Sequence, residues 1–82
     1  MTLIQLQILS PERVLVHESV ESVELPGTMG RFEVLKDHAP LISSLAKGDI
    51  YYRIDAGKEG RIAISSGFVE ICANHVTACV EI

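Results

Sequence analysis

Apolar and polar side chains alternate with a period of two along most of the chain. Ile4, Leu6 and Ile8 alternate with Gln5 and Gln7, which puts apolar side chains on one face of a strand and amides on the other. Ser10-Pro11-Glu12 interrupts this run, and Val14-Leu15-Val16-His17 resumes as a second β-branched segment. Further alternating stretches cover residues 23–25, 50–54, 61–64, 69–71 and 76–82. No segment carries an apolar stripe at helical spacing over several turns.

The intervening segments read as turns. Residues 55–60 contain Gly57 and Gly60 and lie between two alternating runs, as a hairpin loop would. Pro26-Gly27 has the order favoured at the centre of a type II turn, and Asn74-His75 is expected to close the last hairpin. In segment 38–48, Leu41, Ile42 and Leu45 fit one side of a single helical turn, but Pro40 and Gly48 fence it. An irregular crossover with at most one turn of helix is expected there.

Eight or more short strands with no room for helical crossovers predict an all-β fold, either two antiparallel sheets packed face to face or a flattened barrel. The alternation assigns Ile4, Leu6, Ile8, Val23, Leu25, Phe32, Val34, Tyr52, Ile54, Ile62, Ile64, Val69, Ile71, Val76, Ala78 and Val80 to the interior. Residues 1–82 form one domain with no linker, repeat or low-complexity segment.

Composition adds constraints. With 48% hydrophobic and 22% charged residues in 82, the chain can bury a core, but a domain this small has thin stability and gains from docking onto something larger. Seven Lys+Arg against eleven Asp+Glu give a net charge of -4, which offers no basic footprint for nucleic acid. No apolar run approaches the length of a membrane span, and the N-terminus lacks the basic start of a secretory signal, so the expected compartment is the cytoplasm.

Candidate chemistry is sparse. Cys72 and Cys79 are expected as free thiols, since a 74–75 turn would leave them diagonal to one another and beyond disulfide reach. His17, His38, His75 and the two cysteines lack metal-ligand spacing. Ser65-Ser66-Gly67 lacks a nucleophile elbow, and Asp37 and His38 diverge as neighbours in extended chain. The glycines of Pro26-Gly27-Thr28-Met29-Gly30 are followed by neither Lys-Ser/Thr nor a helix, so they read as a turn rather than a phosphate loop. Met29 beside Arg31 at a loop tip suits a contact surface, and the bend Asp37-His38-Ala39-Pro40 sets an imidazole against a proline-rigidified turn, where a hydrogen-bonded loop histidine is the plain expectation.

The run Leu25-Pro26-Gly27-Thr28-Met29-Gly30-Arg31-Phe32-Glu33-Val34-Leu35-Lys36-Asp37-His38-Ala39-Pro40 resembles the central motif of the epsilon subunit of rotary F-type ATP synthases, the counterpart of the mitochondrial delta subunit. Leu6-Gln7-Ile8-Leu9-Ser10-Pro11-Glu12 looks like that family's first strand and turn. Leu45-Ala46-Lys47-Gly48 looks like its post-crossover turn, and Ser66-Gly67-Phe68-Val69-Glu70-Ile71 like its Gly-Gly-Phe/Ile-x-Glu-Val strand. These segments cover nearly the whole chain in the family's order.

The resemblance implies an antiparallel β-sandwich of about ten short strands and a non-catalytic rotor part without a cofactor, metal or catalytic residue. Such a part sits at the foot of the central stalk between the gamma subunit and the polar loops of the c-ring. There it belongs to a peripheral F1 complex on the cytoplasmic face of the inner membrane and couples ring rotation to catalytic sites elsewhere. By position, Gly27, Thr28, Met29, Gly30, Arg31 and Phe32 would meet the c-ring, and Ser10, His38, Ala39, Pro40, Leu41, Ile42 and Ser43 would face gamma. Arg31 departs from the family, several members of which carry an acid there; a compensating acid on the ring, or a contact shifted to Glu33, is then expected. No residues of the family's inhibitory C-terminal helical hairpin are present in this sequence. Rival readings are a freestanding β-sandwich interaction module, which would call for an apolar or aromatic groove although aromatics are only 5%, and a minimal enzyme, for which no constellation stands out.

Overall fold

The structure, a computed structural model, describes residues 3–82, the side chain of Ala56 excepted. Eight strands follow in order: β1 (Ile4–Leu9), β2 (Val14–Gly27), β3 (Gly30–Val34), β4 (Leu41–Leu45), β5 (Gly48–Ile54), β6 (Glu59–Ile64), β7 (Ser66–Cys72) and β8 (His75–Glu81). A short 3-10 turn, Asp55–Gly57, links β5 to β6, and Ile54 N–H donates to the Lys58 carbonyl across it at 2.6 Å. The all-β expectation holds, with eight strands rather than about ten.

The eight or more strands expected from alternation are met, and one of them, β2, joins two segments that alternation reads as separate. Its 14 residues run through the polar stretch His17-Glu18-Ser19, which the hydrophobic pattern had left between two separate strands. The first half of β2 pairs with β1, Ile4 opposite Val20 and Ile8 opposite Val16, and the second half pairs with β3 and β5. A register shift between Val20 and Ser22 in the β2–β5 ladder changes the phase, so Val20 and Val23 both point inward. An alternation argument cannot anticipate that, and Val20 was missed as a core residue.

Strand β2 therefore belongs to both layers. One layer is β3–β2–β5–β6; the other is β4–β7–β8–β1, and contacts of β2 with β1 and β4 close the circuit. All pairs are antiparallel except β1–β8, which is parallel, with Leu6 opposite Val76 and Leu9 opposite Cys79. Closure pairs most strands on both sides and leaves few open edges in a small domain.

Segment 41–45 is strand β4, paired with β7 from Leu41 opposite Ile71 to Leu45 opposite Gly67, and not a helical crossover. Leu45 is consequently a core residue. Pro26-Gly27 is not a turn either: Gly27 pairs with Gly30 in β3 and with Leu45 in β4, so the turn falls at Thr28-Met29. The last hairpin turns at Ala73-Asn74, one residue earlier than expected, with both residues at positive φ (51° and 63°) as the commonest two-residue hairpin turn requires.

The core comprises Ile4, Leu6, Ile8, Val20, Val23, Leu25, Val34, Leu45, Ile50, Ile64, Val69, Ile71, Val76, Ala78 and Val80. Each fully buried aliphatic side chain contributes on the order of 1.5–3 kcal/mol. Of the residues expected inside, Phe32, Tyr52, Ile54 and Ile62 are only partly buried and pack against this cluster from its rim. Ile50, on the same face of β5 as Tyr52 and Ile54, is fully buried and was overlooked.

Candidate functional site

The turn of the β2–β3 hairpin is anchored at its base and free at its tip. Gly27 is buried and Phe32 packs against the core, while Thr28 N–H donates to the Ser44 carbonyl at 3.0 Å, tying the turn to the end of β4. Met29 projects from this base with 98% of its surface exposed. A flexible thioether held out by a rigid turn is suited to a protein contact.

Arg31 does not project with it. Its Nε donates to Glu24 Oε1 at 2.9 Å, its Nη2 to the Asp49 carbonyl at 2.9 Å, and its guanidinium lies 5.4 Å from the centre of the Tyr51 ring. The charge is spent on the outer face of the β3–β2–β5–β6 layer, where Glu24 and Glu33 stand directly opposite one another. Arg31 offsets that like-charge pair, so its cationic character has an intramolecular use.

The second set of expected contact residues lies on the other layer. Side chains of β4, β7, β8 and β1 that point away from the core form rows across the sheet. Ser44, Phe68, Cys79 and Leu9 make one row, and Ile42, Glu70, Thr77 and Gln7 the next. Ile42 and Phe68 are 72% and 52% exposed, and with Leu9 and Cys79 they give this face an apolar stripe. At one end the stripe opens into a groove of about 600 Å³ that includes Leu9, Ser10, Pro11, Phe68 and Val80.

Ser10 and Ile42, far apart in sequence, thus border one sheet face, whereas Leu41 and Ser43 lie on the core-facing side of β4 with Leu45. The Ser10 hydroxyl closes the turn after β1, donating to the Arg13 carbonyl at 3.2 Å and accepting from Arg13 N–H at 3.3 Å. Ala39, Pro40 and Ile42 are exposed, Leu41 partly so, and Ser43 is half-buried with its hydroxyl donating to the Ser44 carbonyl at 3.2 Å. His38 Nδ1 is 2.7 Å from the Ala39 carbonyl, a local contact that fixes the ring on its own loop. The sequence did not mark Phe68, Leu9 and Cys79 as contact residues; the signal available was an aromatic at the position in β7 that shares a face with Glu70.

Groups considered for catalysis or metal binding have separate partners. Asp37 engages Asn74, Ser65 Oγ donates to the Glu81 carbonyl at 3.1 Å, and His75 Nδ1 is 3.0 Å from the Ala73 carbonyl. The corrected hairpin register places Cys72 opposite His75 and Cys79 opposite Phe68, farther apart than the diagonal neighbours expected, and both thiols are free. Among the described residues no three or more His, Cys, Asp or Glu side chains are grouped to hold a metal ion. None of the helical residues is in a segment long and apolar enough to cross a membrane.

Comparison with known proteins matches residues 3–82 to the family described as ATP synthase, Delta/Epsilon chain, beta-sandwich domain. Among similar sequences, the ATP synthase epsilon chain of Desulfitobacterium hafniense (strain DSM 10664 / DCB-2) is 47% identical over 76 residues, covering 93% of this chain and 57% of that one. The epsilon chain of Nitratidesulfovibrio vulgaris (strain DP4) is 38% identical over 78 residues, covering 95% of this chain and 58% of that one. The chain thus spans a little under three fifths of the length of these curated relatives. A chain of the Euglena gracilis mitochondrial ATP synthase superposes with a TM-score of 0.91 at 22% identity, over 98% of this chain and 51% of that chain. A chain from the Tetrahymena thermophila mitochondrial ATP synthase central stalk and c-ring gives 0.80 at 12% identity, over 96% and 63%. At such identities the two superpositions speak for the fold.

Proposed function

The chain belongs to the beta-sandwich domain family of ATP synthase delta/epsilon chains, and from that premise we propose that it is a non-catalytic rotor component of a rotary proton-translocating ATP synthase. In this reading the outer face of β4–β7–β8–β1 packs on the gamma subunit. The Thr28-Met29 turn rests on the polar loops of the c-ring, at the cytoplasmic face of the inner membrane. Rotation of the ring reaches gamma through a stiff, closed sandwich, and the chain needs no cofactor of its own.

One observation carries the reading. The two regions expected to face gamma meet on a single sheet face, Ser10 at one edge and the outward-pointing Ile42 of segment 38–43 at the other, and the exposed Phe68 lies between them. An apolar stripe with a polar surround is the anatomy of a protein interface. The exposed Met29 at the end of the domain supplies a second, smaller contact.

Crosslinking tests both contacts in an assembled enzyme. In a background where Cys72 and Cys79 are replaced by Ser, Ile42→Cys should crosslink to gamma and Thr28→Cys to the c-ring. Crosslinks with the two partners exchanged, or none with an enzyme that has incorporated the chain, would overturn this orientation. Failure of the folded chain to incorporate at all would favour a freestanding interaction module.

A further inference from the structure

We infer that Asn74 is a positioning residue that holds segment 38–43 in its partner-facing arrangement by clamping Asp37. This inference rests on the reading that the segment faces gamma. Residues 35–40 leave β3 and return as β4 without joining either sheet. Within this connection His38 N–H donates to the Leu35 carbonyl at 3.2 Å and His38 Nδ1 lies 2.7 Å from the Ala39 carbonyl, and the tie to the rest of the fold runs to the β7–β8 turn: Asp37 N–H donates to Asn74 Oδ1 at 2.6 Å, and Asn74 Nδ2 donates to Asp37 Oδ1 at 3.1 Å.

The chemistry of this pair is reciprocal. A side-chain amide offers one acceptor for a peptide N–H and one donor for a carboxylate, and Asn74 uses both on a single residue. Both partners have a left-handed backbone, Asp37 at φ 66° and Asn74, as its hairpin turn requires, at φ 63°. Asn74 is itself fixed, because its carbonyl accepts from Gln5 N–H of β1 at 2.8 Å. The clamp therefore ties the loop to the far layer just before Pro40, Leu41 and Ile42, which border a shallow pocket with Cys72 and Glu70. Without it, the exposed apolar groups at 40–42 would have to be ordered at the moment of binding, and affinity falls by that cost.

Both positive φ values make a clean test possible, since Gly adopts them without strain. Asn74→Gly keeps the turn and removes both hydrogen bonds. Asn74→Asp keeps the acceptor but sets two carboxylates against each other. The exchanged pair Asp37→Asn with Asn74→Asp restores one donor and one acceptor in the reverse sense. Each variant is titrated calorimetrically with purified gamma subunit, and amide hydrogen exchange at Asp37 is followed by NMR in the free chain. The expected result is faster exchange at Asp37 and roughly five- to tenfold weaker gamma binding for both single variants, through loss of two modest hydrogen bonds in Asn74→Gly and of one, with carboxylate repulsion added, in Asn74→Asp, and recovery in the exchanged pair. Unchanged exchange at Asp37 in Asn74→Gly, or faster exchange with wild-type affinity, would overturn the positioning role while leaving the gamma-facing reading intact. A folded wild-type chain that does not bind gamma would overturn both.

Discussion

The ring of Tyr52 covers Gly60, its cross-strand partner between β5 and β6, so closely that a Cβ at residue 60 would lie within hard contact of the ring and its hydroxyl. Gly60 has no special backbone angle, so the requirement for glycine here is one of space alone. Gly60→Ala must displace the ring from the rim of the core and is expected to cost about 1–3 kcal/mol. Chemical denaturation checks it. In a Tyr52→Ala background the same substitution should cost much less, because the obstacle has gone.

Gly67 meets a harder constraint. A Cβ there would press on the Cys79 carbonyl and the Val80 Cα, both backbone of the paired strand β8. A ring can swing aside, whereas a hydrogen-bonded backbone shifts only with its sheet. Gly67→Ala is therefore expected to destabilise the domain by about 3 kcal/mol or more, above the Gly60→Ala loss. The order of the two melting temperatures is the readout, and equal losses would contradict the assignment.

The Arg31–Glu24 pair is half exposed, so its removal should be mild in itself. Arg31→Ala is expected to cost under about 1 kcal/mol. A part of that cost is the unrelieved opposition of Glu24 and Glu33, which Glu24→Gln in the same background should recover. Denaturation at low and high salt separates this effect, since screening weakens the repulsion between surface charges.

Burial raises the Tyr52 phenol above its ordinary value of 10.0, and the negative charge of Glu18 adds to the effect. The folded state thus favours the neutral phenol more than the unfolded state does. Its contribution to stability is complete below pH 10 and is lost as pH rises from there through the folded-state value. Denaturation curves for wild type and Tyr52→Phe should run parallel up to that point, with the wild type then falling further. Parallel curves to higher pH would contradict the burial of the phenol.

Much of the fold was legible from alternation because most strands bury one face and leave the other wet, as Ile4, Leu6 and Ile8 against Gln5 and Gln7 do. The pattern failed where a local device broke its phase. The register shift in β2 hid Val20, and the closely fenced segment 41–45 read as a crossover although pairing with β7 makes it a strand. Turn positions were off by a residue or two because Ala73 occupies a positive φ that its side chain does not advertise, and because Pro26 lies inside a strand. Apart from Met29 and Arg31, whose chemistry at a loop tip already suited a contact, the residues of the contact surfaces could be named only through family resemblance. Spacing along the chain does not reveal that Ser10 and Ile42 border one face; that follows from the order β4–β7–β8–β1. Phe68 was missed for the same reason, since its exposure depends on which neighbours the sheet gives it.

Size-exclusion chromatography of the purified chain with the gamma subunit of the same organism tests the central claim most directly, run for wild type and for Ile42→Ser with Phe68→Ser. The wild type is expected to co-elute stably, and the double variant to elute separately while melting within a few degrees of wild type. Co-elution of both, or separate elution of a folded wild-type chain, would contradict the assignment of this sheet face to gamma.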